Sequence, residues 1–362
     1  MRIALIISSL RPGGAERVLS TLANDWGKSG HDIHLITIDN QDSDFYNLCH
    51  QVSRHSLRMG ASSAGFFSGI LANIKRAFNL RKICIAIKPD VVLSFVDTTN
   101  ILTGIALIGT SMPLVVSERI DPFKHSIGVL RDLIRPYLYR HSANALVVQT
   151  DAVAKKCAVR WKSSNIKTIA NPIWVNDDAA RHNKDKIILS IGRLQFQKGQ
   201  DVLIKAFKKV YADFPEWRLI ICGEGELRHS LECELDESDL TEIVSLRGAV
   251  KDVCPIYQAA SIFVMPSRFE GFPNALLEAL AMGCACISTD CESGPREMLE
   301  DGRLGILTPV DDVDAMAEAL RRLMQSPELC EQFGSHSAYV RERYHLDKIS
   351  RQWLDLFKAV QK

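Results

Sequence analysis

The chain has 362 residues, 46% of them hydrophobic and 24% charged, and 44 Lys/Arg against 43 Asp/Glu leave a formal net charge of +1. That length suits about two domains, and the composition excludes disordered, collagen-like and coiled-coil chains as well as a uniformly basic nucleic-acid binder. The even total hides an asymmetry: residues 1–180 carry +7 and residues 181–362 carry −6, so the two halves are expected to face different partners.

Short β-branched runs alternate with helical patterns from the start. Ile3–Ile7 reads as a strand, Ala15–Lys28 as a helix and Asp32–Ile38 as a strand. The opening run is too short for a signal peptide and leads directly into structure, so no export signal is expected. Val91–Phe95, Leu114–Ser117 and Ala145–Gln149 read as further strands. The uncharged stretch Thr98–Ser117 has the length of a membrane span, but Asn100, Gly104, Gly109 and Pro113 make it helix, turn and strand instead. The ten cysteines lack Cys-x-x-Cys pairing and are expected to be reduced thiols in a cytoplasm.

The polar stretch 176–186 is a linker candidate, and the alternation then restarts. Strands are expected at Ile187–Ile191, Arg218–Cys222, Ile243–Arg247, Ile262–Met265 and Ala285–Ser288, with helices at Gln200–Asp213 and Asn274–Met282. Strands alternating with helices imply parallel sheets covered on both faces. Two such blocks make an α/β chain of two doubly wound domains, with ligands at the carboxyl ends of the strands. A terminal helix is expected over Asp347–Val360.

Several loops carry candidate chemistry. The loop Ser8–Glu16 brings Gly13 and Gly14 to a helix N-terminus, where backbone N–H groups can approach an anion. It is neither a dinucleotide fingerprint nor a Walker A loop, and it serves equally well as a tight turn. In the second block, Arg193 and Lys198 leave a strand on a loop flanked by Gly192 and Gly199. Two such cations can clamp a diphosphate, Arg by bidentate bonding and Lys as a point charge. The segment Met265–Gly283 places Glu270 on a loop after a strand and Glu278 inside an apolar helix. A carboxylate there is costly unless bonded, and sugar or ribose hydroxyls would satisfy both glutamates.

These residues carry a resemblance that extends over essentially the whole chain. Gly13-Gly14-Ala15-Glu16, Gly192-Arg193 with Lys198-Gly199, Gly223-Glu224-Gly225-Glu226-Leu227, Glu270-x7-Glu278 and Ser293-Gly294-Pro295-Arg296-Glu297 resemble the retaining glycosyltransferases of family four. The resemblance implies the GT-B fold, two Rossmann-like domains facing a central cleft. An N-terminal acceptor domain would occupy residues 1–172, a linker 173–186 and a C-terminal nucleotide-sugar domain 187–344. Residues 345–362 would form a helix crossing back to the N-terminal domain. It further implies a hexosyltransferase in which Arg193, Lys198 and Glu270 are catalytic. The donor, a UDP-sugar, would lie against Gly13, Gly14, Gly223, Arg247, Gly248, Glu270, Gly271, Phe272, Pro273, Asn274, Ala275 and Glu278. No cofactor is expected, and Asp97 is not part of an Asp-x-Asp pair that would call for a divalent metal. Where many relatives have Gly, this chain has Pro273, which offers no N–H to the donor sugar.

Two narrower matches concern the acceptor. Ser94–Asn100 and Ser117-Glu118 resemble a bacterial branch that extends undecaprenyl-diphosphate-linked oligosaccharides, including N-acetylgalactosaminyltransferases. They imply acceptor contacts at Asp97, Thr98, Glu118 and Arg119, the last standing where many relatives carry His. Phe66, Phe67, Ile70, Leu71, Ile74 and Phe78 fall near helical spacing, with Lys75, Arg76, Arg81 and Lys82 around them. Such a basic amphipathic helix either turns its stripe to the core or lies on anionic lipid and meets a lipid diphosphate. The expected setting is therefore cytoplasmic, at the inner face of the cell membrane, with no nucleic-acid partner. Two rival functions fit the same fold: a nucleotide-sugar epimerase, and a non-catalytic partner that binds sugar nucleotides.

Overall fold

The computed structural model describes residues 1–60, 66–162, 165–173, 184–250 and 252–361. They divide into two compact units, residues 1–172 with 346–362, and residues 173–345. Of the stretch expected to link them, residues 174–183 lie outside the described residues.

The first unit is built on seven parallel strands: β1 (Arg2–Ile7), β2 (Asp32–Thr37), β3 (Val52–Ser56), β4 (Val91–Phe95), β5 (Leu114–Ser117), β6 (Ala145–Val148) and β7 (Ile166–Thr168). Their order is β3-β2-β1-β4-β5-β6-β7, so the winding reverses between β1 and β4. Strands β4, β5 and β6 are buried along their whole length, as a sheet covered on both faces requires. Alternate residues serve opposite faces. Ile3, Leu5 and Ile7 meet Val18, Leu22 and Trp26 of α1 (Gly14–Lys28). Ala4 and Ile6 share the other core with α2 (Phe66–Ile87), α3 (Asp97–Leu107), α4 (Val129–Ser142) and α5 (Asp151–Trp161).

The second unit has six parallel strands: β8 (Asp185–Ile191), β9 (Arg218–Cys222), β10 (Val244–Leu246), β11 (Ala260–Met265), β12 (Ala285–Thr289) and β13 (Gly305–Thr308). The order β10-β9-β8-β11-β12-β13 reverses between β8 and β11. Around it run α6 (Gln200–Tyr211), α7 (Arg228–Glu237), α8 (Cys254–Ala259), α9 (Asn274–Ala281), α10 (Pro295–Met298), α11 (Val313–Gln325), α12 (Pro327–Gly334) and α13 (Ser337–Arg343). Leu203, Phe207, Leu320 and Leu323 fill the core between α6, α11 and the sheet.

The last helix, α14 (Leu346–Val360), belongs to the first unit. Its Trp353 and Phe357 are fully buried, with Phe357 edge-on to Trp26 at 5.4 Å and Trp353 5.9 Å from Phe95. The Trp26 indole donates to Ser350 Oγ at 2.8 Å, and Ser350 donates to Asp25 at 2.6 Å. This places a hydrogen-bonded polar chain beside the aromatic cluster and satisfies the buried indole.

Thr98–Ser117 folds as helix α3, a turn and strand β5, and no described helix is long and apolar enough to cross a membrane. All ten cysteines are free. Burial raises the Cys84, Cys157 and Cys291 thiols to about 12, which keeps them protonated and unreactive.

Candidate functional site

In each unit the winding reversal opens a crevice at the carboxyl ends of two central strands, where ligands bind in folds of this kind. In the second unit those strands are β8 and β11. After β8, the chain turns through Gly192-Arg193-Leu194 and a short 3-10 turn, Phe196–Lys198, before α6 begins. Gly199 makes the turn at φ +66, and a Cβ there would lie 2.1 Å from the Pro266 carbonyl oxygen. Glycine is therefore required both for its backbone conformation and for the close approach of the loop after β11.

That approach unites two distant sequence motifs. Lys198 Nζ lies 2.5 Å from Glu270 Oε1, and the Ser267 hydroxyl donates to the same oxygen at 2.7 Å. The Ser293 hydroxyl donates to the Glu270 backbone carbonyl at 2.6 Å, and Gln197 Nε2 donates to the Phe269 carbonyl at 2.9 Å. Glu270 is 7% exposed, so its carboxylate is held by fixed partners rather than water. Arg193 points to solvent, and among the described residues its guanidinium makes no hydrogen bond or ion pair. One cation of the expected clamp is thus neutralised and the other is open.

Glu278 lies half-buried on α9. The Tyr257 hydroxyl reaches its Oε2 at 3.2 Å and the Ala275 carbonyl at 3.1 Å. Pro273 stands at the N-cap of α9, where it supplies no N–H to a ligand. Gly294, at φ +96, packs its missing side chain against Pro273 and the Gly271 carbonyl, 2.7 and 2.9 Å from where a Cβ would stand. Phe272 is edge-on to Tyr344 at 6.2 Å, and Asn274 and Ala275 open the helix. On the far side of β8, Gly223 N–H donates to the Gly248 carbonyl at 2.7 Å, joining the loops after β9 and β10, and Arg247 is exposed beside them.

Sequence reasoning overlooked the residues that hold these groups. Ser267 and Gln197 sit inside quoted motifs and have no distinctive spacing, while Tyr257 is 21 residues from Glu278. Arg268 was also missed. It bonds Asp201 with both terminal guanidinium nitrogens at 3.1 and 2.8 Å, reaches Asp311 through Nε at 2.7 Å and stacks on Phe196 at 4.1 Å. Its position next to Glu270 suggests ligand binding, but its partners make it a clamp between the two loops.

The first unit corrects several expectations. The Gly13 N–H is not open to an anion: it donates to the Tyr46 hydroxyl at 3.1 Å, and that hydroxyl donates back to the Gly13 carbonyl at 2.9 Å. Gly14 begins α1. Glu118 is turned inward, 2% exposed, instead of toward an acceptor. It accepts from the Tyr139 hydroxyl at 2.5 Å and lies 3.5 Å from the buried Arg135 guanidinium, which also bonds Asp132. Burial raises the Glu118 carboxyl to about 7, against the opposing pull of Arg135. Asp97 is buried too, accepting from the Thr98 N–H at 2.5 Å with His125 3.7 Å away, whereas the Thr98 side chain is exposed. Arg119 is half-buried, stacked 4.3 Å from the Phe95 ring and donating to Asn171 and Ser117. Burial lowers its pKa to about 9, so it remains cationic at neutral pH.

On α2 the apolar stripe faces solvent, not the core: Ile70, Leu71, Ile74 and Phe78 are exposed, while Ala77, Leu80 and Cys84 face inward. The side chains of Phe66 and Phe67 lie outside the described residues. Lys75 is exposed, and Lys82 lies 4.6 Å over the Phe78 ring. Arg81 is committed elsewhere. It donates to the Ala106 and Ile108 carbonyls at 2.9 and 2.7 Å, closing the C-terminus of α3 rather than awaiting a lipid phosphate. Arg76 donates to the Met59 carbonyl at 2.9 Å and to Asn73.

Known proteins give this geometry a context. The profile "Glycosyltransferase Family 4" matches residues 12–176, and "Glycosyl transferases group 1" matches residues 174–338. The chain is 29% identical to the Campylobacter jejuni GalNAc-alpha-(1->4)-GalNAc-alpha-(1->3)-diNAcBac-PP-undecaprenol alpha-1,4-N-acetyl-D-galactosaminyltransferase, over 99% of each chain. It is also 29% identical to that organism's N-acetylgalactosamine-N,N'-diacetylbacillosaminyl-diphospho-undecaprenol 4-alpha-N-acetylgalactosaminyltransferase, over 98% of each. In fold it is similar to a TarM variant from S. aureus crystallised with fondaparinux, alpha-GlcNAc-glycerol and UDP, with a TM-score of 0.80, 13% identity and coverage of 99% of this chain and 100% of that one. With two parallel-sheet Rossmann-like units and both profiles together spanning nearly the whole sequence, the chain belongs to the family 4 glycosyltransferases of GT-B fold.

Proposed function

We propose that the protein is a metal-independent, retaining glycosyltransferase that moves an N-acetylhexosamine or hexose from a UDP-sugar to an undecaprenyl-diphosphate-linked oligosaccharide. The observation that carries this reading is the meeting of Lys198 and Glu270 at the winding reversal of the second unit, with open Arg193 on the same loop. The two Campylobacter relatives, by name transferases acting on undecaprenyl-linked glycans, support the acceptor class, and the UDP in the TarM structure supports the donor.

In this reading Arg193 and Lys198 bind the donor diphosphate, Glu278 the ribose hydroxyls, and Glu270 a hydroxyl of the donor sugar. The bond between the anomeric carbon and the departing phosphate oxygen breaks as the acceptor oxygen bonds to that carbon on the same face. The acceptor hydroxyl proton passes to the departing phosphate oxygen. Charge grows on the diphosphate during this step, and the two cations stabilise it; losing one group that stabilises developing charge costs about 3–4 kcal/mol. Ser267 and Ser293 keep Glu270 in place while Lys198 turns from the carboxylate to the phosphates.

Exposed Ile70, Leu71, Ile74 and Phe78 beside Lys75 and Lys82 on α2, with Val129, Leu130 and Leu133 on α4, support peripheral attachment to the cytoplasmic face of the inner membrane. The test is UDP release from a panel of UDP-sugars, with and without an undecaprenyl-diphosphate oligosaccharide. Acceptor-dependent release with one sugar establishes the reaction; absence of UDP binding overturns the donor assignment.

A further inference from the structure

Phe196 stands on the same loop as Arg193 and Lys198, and the donor assignment gives it no task. Among the described residues of the second unit, Phe196 and Tyr339 are the large apolar side chains left exposed, at 63% and 42%. Tyr339 is engaged: its hydroxyl donates to Glu300 at 2.7 Å, and the Arg303 guanidinium lies 5.0 Å from its ring centre. The Phe196 ring rests on the Arg268 guanidinium at 4.1 Å and leaves most of its surface to solvent.

A solitary exposed apolar side chain is ordinary. This one differs in being held still. Arg268 Nη1 donates to the Phe196 carbonyl at 2.6 Å, and the Arg268 N–H donates to the Gln197 carbonyl at 2.8 Å. On either side of the ring, the Leu194 N–H donates to the Glu224 carbonyl at 3.0 Å and the Lys198 N–H to the Gln195 carbonyl at 2.9 Å. Arg268 is itself braced by Asp201 and Asp311. An aromatic ring fixed in this way gives up little freedom when a ligand covers it.

The ring also has a direction. Its loop follows β8, and it leans onto Arg268 after β11, which reaches Asp311 after β13. Gly223, Arg247 and Gly248 lie toward the opposite flank, after β9 and β10. With the donor nucleoside toward that flank and its diphosphate at Arg193 and Lys198, Phe196 stands at the sugar end of the site.

We propose that Phe196 is the platform on which a pyranose ring of the acceptor glycan stacks, placing its C–H groups against the open surface of the aromatic ring. Such stacking buries apolar area and gains dispersion contacts, so the ligand class is a sugar and not an anion. In the donor assignment the buried Glu270 holds the sugar being transferred, which leaves the exposed ring for the sugar that receives it. The inference rests on the transferase reading above and names a residue that holds the receiving sugar.

The experiment is calorimetric titration of the full chain and its Phe196→Ala, Phe196→Leu and Phe196→Trp variants with UDP and with a panel of soluble N-acetylhexosamine and hexose disaccharides. The parent is expected to bind at least one disaccharide. Phe196→Ala and Phe196→Leu should weaken it at least tenfold, Phe196→Trp should keep it within about threefold, and UDP affinity should hold in all three. In transfer assays Phe196→Ala should raise the KM for the acceptor far more than it lowers kcat. Three results overturn the inference: no disaccharide bound by the parent, binding unchanged in Phe196→Ala, or binding as tight in Phe196→Leu as in Phe196→Trp. A fall in UDP affinity equal to that for the disaccharide also overturns it, because the ring would then only prop the loop. If sugar transfer proceeds in the parent and Phe196→Ala leaves the acceptor KM unchanged, the platform fails and the transferase reading stands. If a disaccharide binds as expected and UDP does not bind the parent, the transferase reading fails and the sugar platform stands.

Discussion

Lys198 and Glu270 are 72 residues apart in sequence and 2.5 Å apart in space, and each is the other's charged partner. The pair is mostly out of water, with side chains 22% and 7% exposed. Removing one member of such a pair leaves a desolvated charge behind, which costs far more than the pair itself contributes. Lys198→Ala is therefore expected to do two things: remove the proposed phosphate ligand and strand Glu270 with only Ser267 on its carboxylate. UDP release should fall by about a hundred- to a thousandfold, and the melting temperature should fall as well. Adding Glu270→Gln to Lys198→Ala should recover part of the melting temperature and none of the turnover. Turnover near that of the parent protein in Lys198→Ala would remove this lysine from the reaction.

Arg268 stands beside Glu270 but has a different task. Its bonds to Asp201 and Asp311 and its stacking on Phe196 tie the loop after β11 to the start of α6 and to the loop after β13. Hydrogen bonds to charged groups contribute about 1.5–3 kcal/mol each, so Arg268→Ala should destabilise the second unit by about 2 kcal/mol or more. Arg268→Lys should recover little, because a point charge cannot bond both oxygens of Asp201 in one plane. Urea unfolding of the two variants measures this, and a lysine variant as stable as the parent would show that charge alone suffices.

The sequence patterns that reported most faithfully are those of central strands. Val91–Phe95, Leu114–Ser117 and Arg218–Cys222 have the same ends in the structure as in the sequence reading, because buried parallel strands are continuous apolar runs. Strands β3, β7 and β13 gave no such signal, and all three stand at sheet edges. Val52–Ser56 carries Arg54 and His55, Ile166–Thr168 has three residues, and Gly305–Thr308 opens with glycine. An edge strand can face water on one side, so its composition drifts toward that of a loop. At the candidate site, glycines and charged residues were legible because each stands in a short motif. The groups that orient them were not: Tyr257 finds Glu278, and Tyr46 finds Gly13, only through the tertiary fold. The inward turn of Glu118 was hidden for the same reason, since its partners Arg135 and Tyr139 come from α4.

Gly223 and Gly109 separate two reasons for glycine. Both have positive φ, +150 and +74, but a Cβ on Gly223 would lie 1.9 Å from the Gly192 carbonyl oxygen, whereas Gly109 has open space around it. Gly109→Ala should cost about 1–2 kcal/mol from backbone strain alone. Gly223→Ala adds a collision between two backbones and should cost at least about 3 kcal/mol. It should also weaken UDP binding, since Gly192 leads into the Arg193 loop. Equal urea midpoints for the two variants would show that the strands beside Gly223 part readily.

Glu118 predicts how stability depends on pH. Its carboxyl is raised from 4.5 to about 7, mainly because burial disfavours the charged form, with Asp97 adding repulsion while Arg135 and the Tyr139 hydroxyl act the other way. Between those two values the folded protein holds a proton that the unfolded chain has released. Stability contributed by this proton is complete below pH 4.5 and is lost as pH rises through about 7. Glu118→Gln keeps the shape and cannot ionise, so the difference in stability between parent and variant should shift against the parent from pH 5 to pH 8, over the window set by the raised carboxyl. Arg135 keeps Asp132 as a partner in the variant and is not left alone. Urea midpoints of both proteins at the two ends of that window give the result. Curves that run parallel across it would mean that Glu118 is already ionised at pH 5 and that Arg135 outweighs burial.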